Sequence, residues 1–72
     1  MTGLIASFRK NANEEVRVSL DDFSGHLLVN VRVWYSTANG EMRPGKQGIA
    51  VRVEQLPDLT AALAKAAKEL TP

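Results

Sequence analysis

The chain has 72 residues, a formal net charge of +1 at pH 7, one histidine and no cysteine. A chain this short forms one small domain, residues 1–72, whose core is marginal, and association of two chains is a common remedy. The composition excludes disulfides, thiolate metal sites, a cysteine nucleophile and a multi-histidine metal site within one chain.

The first half of the chain carries strand patterns. Residues 1–13 are a weakly defined N-terminal segment, within which Leu4 to Lys10 alternates enough to be a candidate for an extra N-terminal strand. Glu15 to Leu20 is a clearer strand, because its apolar residues fall on one parity. Asp21 to Gly25 is predicted to be a loop with Phe23 inside it.

His26 to Ser36 is the strongest strand pattern in the chain. Its apolar parity predicts a core-facing side, made of Leu27, Val29, Val31, Val33 and Tyr35. The other parity is mixed and contains Leu28, Asn30, Arg32 and Trp34. Thr37 to Gly40 is predicted to close a hairpin, because Asn-Gly supplies the positive φ angles of a tight turn.

The second half changes from strand to helix periodicity. Pro44-Gly45 is predicted to interrupt the next strand, which leaves a short strand at Glu41 to Arg43 and a last strand at Ile49 to Val53. From about Glu54 to Leu70 the apolar residues follow helical spacing. This apolar stripe consists of Leu56, Leu59, Leu63, Ala66 and Leu70.

These elements predict an α+β fold of the order β-β-β-β-α. We expect a curved four-stranded antiparallel sheet followed by one C-terminal helix that covers one face of the sheet. The apolar stripe is then expected to serve the core over the sheet, with the helix end and a sheet edge forming a dimer contact. No apolar run reaches the ~20 residues of a membrane span, and the N-terminus lacks a signal-peptide layout.

Signals for catalysis are weak. Asp21 and Asp22 are adjacent and would face opposite ways in a strand, so they cannot form a matched acid–base pair. His26 has no obvious carboxylate or nucleophile partner. The glycines do not follow the spacing of a phosphate-binding loop. We therefore expect no enzyme, no cofactor and no metal.

A basic face with a ring is the best functional signal in the residues themselves. Arg17, Arg32 and Arg52 fall on the outward parity of their strands, together with Trp34. Unpaired bases stack on aromatic rings while cations follow the phosphates. On pattern alone, a solvated face with a packed ring is favoured over a nucleic-acid platform, and a protein-binding face is the third interpretation.

A longer stretch resembles a known family. From Glu14 onward the chain resembles the C-terminal domain of positive cofactor four, a family of general transcriptional coactivators, over about Glu14 to Leu70. The matching segments are VSLDDFSGH, the aromatic step that follows Arg32, GEMRPGKQGI from Gly40 to Ile49, and EQL at the helix entry. The chain looks like a compact bacterial or phage-type member.

The resemblance implies a homodimer that holds single-stranded DNA in sheet-lined channels with little sequence preference. Phe23 and Tyr35 match aromatic residues that stack on bases, and Arg32 matches an arginine that contacts the DNA backbone. Basic positions around the Pro-Gly turn are matched by Arg43 and Lys46. Ser24, His26 and Gln47 stand where lysine is frequent, which predicts weaker or more pH-dependent binding.

The aromatic pair leaves two interpretations open. Strand parity places Trp34 outward with Arg32, whereas the resemblance places Tyr35 at the stacking position. A bulge, or the end of the strand at Ser36, would turn Tyr35 outward. The candidate nucleic-acid-binding residues are therefore Arg17, Phe23, His26, Arg32, Trp34, Tyr35, Arg43, Lys46 and Gln47.

The predicted function is that of a homodimeric single-stranded DNA-binding protein of low sequence specificity, serving as a transcription cofactor or a nucleoid-associated protein. Its expected partners are single-stranded or melted duplex DNA, a second copy and transcription proteins, with no membrane. In a bacterium it would be cytoplasmic and associated with the nucleoid. The alternative is a small dimeric adaptor of the transcription machinery that does not bind DNA directly. An RNA-hairpin binder is a weaker third option.

Overall fold

The computed structural model describes residues 2–70. The chain folds as four strands followed by a 3-10 turn and one helix, and the elements are β1 (Gly3–Arg9), β2 (Glu14–Phe23), β3 (His26–Ser36), β4 (Met42–Arg52), the 3-10 turn Val53–Gln55 and α1 (Leu56–Leu70). The strands form an antiparallel sheet in the order β1-β2-β3-β4. The predicted α+β class and the β-β-β-β-α order are confirmed.

The N-terminal segment forms β1, which is one of the four strands of the sheet. It is not an extra, fifth strand. β1 pairs antiparallel with β2, with Phe8 opposite Val16 and Ala6 opposite Val18. A bulge between Leu4 and Ala6 shifts its register. The alternation that made Leu4 to Lys10 a strand candidate therefore continues the apolar side of β2 onto the sheet edge.

The loop predicted for Asp21 to Gly25 is wrong in its first part. β2 continues to Phe23, which pairs with His26, so the connection is only Ser24 and Gly25. Ser24 has a φ of 53° and Gly25 a φ of 80°. Two consecutive left-handed residues close a hairpin whose twist matches that of the strands, so no longer loop is needed.

The predicted break at Pro44-Gly45 is also wrong, because β4 runs through it without interruption. Trp34 pairs with Pro44 and Arg32 pairs with Gly48, so residues 45–47 bulge opposite Val33. β4 is an edge strand, where a proline without an N–H group is tolerated. The two short strands expected here are therefore one strand with a bulge.

Replacing Gly48 with alanine is expected to lower the free energy of unfolding by about 2–3 kcal/mol. A Cβ at this position would lie 2.6 Å from the carbonyl oxygen of Val31 and 2.9 Å from the Cα of Arg32. These are backbone atoms of the paired strand and cannot move aside. Urea denaturation at a fixed protein concentration measures the loss.

The control for this substitution is Gly40→Ala. Gly40 has a φ of +83°, but a Cβ there meets nothing within 4 Å. Its cost is the left-handed backbone alone, about 1 kcal/mol. Equal losses of unfolding free energy in the two variants would show that the sheet shifts to relieve the close contact at Gly48. That result would contradict the prediction.

One face of the sheet is apolar, and we call it the valine face. The register places Val18 opposite Val31, and Val31 opposite Ile49. Its central members are Val16, Val18, Leu20, Val29, Val31, Val33, Ile49 and Val51. Of the described residues, Val29 alone is buried, with 4% of its surface exposed. The single chain therefore has a sheet face without a closed core.

The helix does not cover the sheet, so this expectation is wrong. None of the residues of α1 is buried, and Leu63 and Leu70 are 60% and 85% exposed. The helix contacts mainly the 3-10 turn that precedes it. Helical spacing identified the stripe, but spacing does not say which surface a stripe packs against. Pro57 lies in the first turn of α1, where its missing N–H group has no helical partner to lose.

Candidate nucleic-acid interface

The face opposite the valines carries the predicted basic residues, and we call it the arginine face. Arg17 pairs with Arg32 across β2 and β3, and directly paired residues share a face. Trp34 and Leu28 have the parity of Arg32 along β3, and Arg52 pairs with Leu28. The predicted common face of Arg17, Arg32, Arg52 and Trp34 is therefore present.

Arg17 and Trp34 form a stacked pair on this face. The guanidinium carbon of Arg17 lies 4.2 Å from the centroid of the Trp34 ring. Its Nε donates to Oε1 of Glu15 in an ion pair, and the side chain is only 24% exposed. A guanidinium plane over an indole ring is a favourable cation–π arrangement, and the carboxylate holds it in place.

Arg32 is fixed by the bulge of β4. Its Nη1 donates to the carbonyl oxygen of Gly45 at 3.1 Å. A guanidinium has five N–H donors, so most of them remain for a ligand. The GEMRPGKQGI segment thus acts on the arginine face through its backbone, because the bulge turns a carbonyl toward Arg32.

Phe23 and His26 lie at the far end of the arginine face. They pair directly across the β2–β3 hairpin, and Phe23 is 68% exposed. Trp34 lies eight residues further along β3 than His26, which at about 3.4 Å per residue is roughly 27 Å. The face therefore has an aromatic side chain near each end, with the arginines and polar residues between them.

Tyr35 lies on the valine face, opposite to Trp34. It pairs with Glu14 and Arg43, and the pairing of β2 with β3 is continuous there. The bulge belongs to β4 and does not turn Tyr35 onto the arginine face, so of the two interpretations left open the register agrees with the outward position of Trp34. Tyr35 lines an open cavity of about 230 Å³ with Glu14, Val33, Gly45, Lys46 and Gln47.

The predicted site residues thus fall into two groups. Arg17, Phe23, His26, Arg32 and Trp34 share the arginine face, and the others surround the bulge on the opposite side. Their roles in binding stay predictions.

Sequence reasoning missed Lys10, whose Nζ donates to Oε1 of Gln47 at 3.4 Å and lies 3.7 Å from Oε1 of Glu14. Gln47 stands where lysine is frequent in the family, but it accepts a hydrogen bond from a lysine of the β1–β2 connection, 37 residues away in sequence, which no local pattern shows.

A polar cluster in the middle of the arginine face was also missed. Ser19 pairs with Asn30 across the strands. Asp21 Oδ2 accepts hydrogen bonds from Ser19 Oγ at 3.1 Å and from Asn30 Nδ2 at 2.5 Å. We call these three residues the Asp21 cluster. The outward parity of Asn30 is the sequence signal for this cluster, but the loop predicted for Asp21 to Gly25 separates Asp21 from that face.

The sequence profile of the family described as Transcriptional Coactivator p15 (PC4) matches residues 10–62. That span is well over half of the chain. The chain belongs to the PC4 family. The resemblance seen in the sequence is confirmed, and the match includes every residue of the arginine face discussed above.

Solved structures of PC4 homologues have the same fold. BPSL1147, a PC4 homologue from Burkholderia pseudomallei K96243, is 31% identical, with 94% of this chain and 92% of that chain covered and a TM-score of 0.86. The bacteriophage T5 homologue of the eukaryotic coactivator PC4, implicated in recombination-dependent DNA replication, is 26% identical, with 94% and 78% covered and a TM-score of 0.77.

A PC4-like relative has been solved with single-stranded DNA. MoSub1, in its complex with single-stranded DNA, is 28% identical to this chain, with 96% of this chain and 76% of that chain covered and a TM-score of 0.65. DNA binding is thus a property of relatives of this PC4 chain.

Two further features concern metal binding and membrane spanning in the described part of the PC4 chain. Within residues 2–70, no three side chains of histidine, aspartate or glutamate are grouped to hold a metal ion. No helix in that same range is long and apolar enough to span a bilayer. The chemistry that the sheet does present is stacking, positive charge and hydrogen bonding.

Proposed function

We propose that this chain is a homodimeric single-stranded DNA-binding protein of low sequence specificity, acting as a transcription cofactor or a nucleoid-associated protein, and that in a bacterium it is cytoplasmic. The observation that carries the proposal is the Arg17–Trp34 stack beside Arg32 on an open sheet face. The MoSub1 complex supports it, since that relative binds single-stranded DNA.

The stack explains how unpaired bases would be held. Bases stack on guanidinium planes as well as on aromatic rings. A base lying on the outer side of Arg17 would extend the Trp34–Arg17 pile without displacing either side chain. Arg32 and Arg52 lie on the same face and would contact phosphates, and Phe23 offers a second ring at the far end.

The residues around the bulge form a second, more peripheral group. Lys46 and Arg43 add positive charge near Tyr35, and Arg43 Nη2 lies 3.5 Å from Oε2 of Glu41. Tyr35 is 42% exposed. We assign this group to contacts with the part of the DNA strand that passes around β4 as it leaves the arginine face. Both groups would then contact one DNA strand.

A second copy is proposed because this chain exposes apolar surface on two elements. Ile49 of the valine face is 49% exposed, and the helix stripe is exposed at Leu63 and Leu70. Surfaces of this kind usually mark an interface. A dimer that covers the centre of the valine face, around Val31 and Ile49, together with the stripe leaves the arginine face and the Tyr35 end of each chain free for DNA.

Binding to oligo-dT is expected to weaken steeply with salt. Each phosphate that a cation neutralises adds about −0.7 to the slope of log K against log salt, so three to five contacts give a slope of about −2 to −3.5. Trp34 is the only tryptophan, so quenching of its fluorescence follows binding directly. A salt-independent affinity, or none, would contradict the proposal.

The exposed helix stripe favours a second candidate, a dimeric adaptor that docks on a transcription protein without binding DNA. The two functions separate in one assay. The adaptor would bind no oligonucleotide at low salt and would still retain a transcription protein in a pull-down. Competition between DNA and RNA oligonucleotides distinguishes a single-stranded DNA binder from an RNA-hairpin binder.

A further inference from the structure

The middle of the arginine face presents a carboxylate where a phosphate-binding surface would be expected to present a cation. Asp21 is exposed, and its cluster lies between the Arg17–Arg32 pair and Phe23. A carboxylate repels the phosphates of a strand lying on this face. The strand must therefore turn its bases, and not its backbone, toward this part of the sheet.

The Asp21 cluster has hydrogen-bonding groups left for a base. Oδ2 of Asp21 accepts from Ser19 and Asn30, which fixes the carboxylate and leaves Oδ1 as an acceptor. Asn30 uses one of its two amide N–H donors in this bond. A free acceptor thus lies beside a free donor, and both are held by the β2–β3 pairing.

We propose that Asp21 and Asn30 favour bases with an exocyclic amino group, so that cytosine is preferred over uracil or thymine. This inference rests on the proposed function, and it adds a preference among bases at one part of the face to binding that is otherwise of low sequence specificity. Cytosine donates from N4 to Oδ1 of Asp21, and its N3 accepts from the amide of Asn30. Uracil and thymine present the O4 carbonyl where cytosine has its amino group, and a carboxylate repels that oxygen.

The test compares oligo-dC with oligo-dU of equal length, by fluorescence anisotropy at pH 7.5 and fixed salt. These bases lack a methyl group and differ only on the edge that the cluster would read. We expect oligo-dC to bind about 10-fold more tightly. Equal affinities in the unaltered protein overturn the inference and leave the proposed function intact, whereas no binding of either overturns both.

Two variants of the cluster, Asp21→Ala and Asn30→Ala, test whether it causes the preference, and Glu54→Ala is their control. In Asp21→Ala the affinities for oligo-dC and oligo-dU should be about equal. The affinity for oligo-dU should be at least that of the unaltered protein, because a negative charge is removed. Glu54→Ala removes the same charge outside the sheet and should keep the preference. Asn30→Ala should also reduce it, and circular dichroism verifies folding. A preference that survives in folded Asp21→Ala would overturn the assignment.

Discussion

Replacing Trp34 with alanine is expected to weaken binding to oligo-dT by about 10- to 100-fold. A base stacked on the Trp34–Arg17 pair is expected to contribute about 1–3 kcal/mol, the range found for bases on aromatic side chains. The substitution also removes the support under Arg17, whose guanidinium lies 4.2 Å above the ring. Anisotropy of a labelled oligonucleotide measures the loss, since the variant has no tryptophan to quench.

The matched control is Tyr35→Ala, which removes the adjacent aromatic side chain from the opposite face of the sheet. We expect it to weaken binding less than threefold, because its group is peripheral to the Arg17–Trp34 stack. Trp34→Phe should keep most of the affinity, since a ring remains under Arg17. A larger loss in Tyr35→Ala than in Trp34→Ala would place the stacking site around the bulge and contradict the assignment.

Replacing Leu63 with glutamate is expected to break the dimer and destabilise the fold. Full burial of a leucine contributes about 1.5–3 kcal/mol, and a dimer contains two copies of the residue. A loss of roughly 3 kcal/mol or more raises the dissociation constant over 100-fold. Light scattering at micromolar concentration should show a monomer, and the midpoint of thermal unfolding should fall.

Ala61→Glu is the control for this prediction. Ala61 is exposed and lies about 160° around the helix from Leu63, away from the apolar stripe. The same charge at that position should leave the dimer and its thermal stability nearly unchanged. A monomer in the unaltered protein, or a dimer in Leu63→Glu, would show that the stripe is not the contact surface.

The sequence predicted those parts of the fold that depend on alternation. The parity of β2 and β3 gave the valine face and the arginine face, because side chains of a strand point alternately to its two sides. Alternation in the sequence could not show that β4 continues through Pro44. That depends on the position of β4 at the sheet edge and on a bulge opposite Val33, both of which come from tertiary pairing.

The same limit applies to the candidate site. Arg17, Arg32 and Trp34 were predicted because each has the outward parity of its own strand. The Asp21 cluster was missed because β2 was ended at Leu20, three residues before its pairing with β3 ends. Tyr35 shows the opposite case, because the resemblance named it as a stacking residue although the register places it with the valines.

Three of the arginines that would meet DNA already have partners in the free protein. Arg17 pairs with Glu15, Arg43 lies near Glu41, and Arg32 donates to a backbone carbonyl. At Arg17 and Arg43, a ligand that offers only phosphates exchanges one anion for another and gains little. We therefore expect duplex DNA, whose bases are already stacked on each other, to compete poorly with single-stranded DNA. The carboxylates that pair with the arginines thus make the protein selective for strands with unpaired bases.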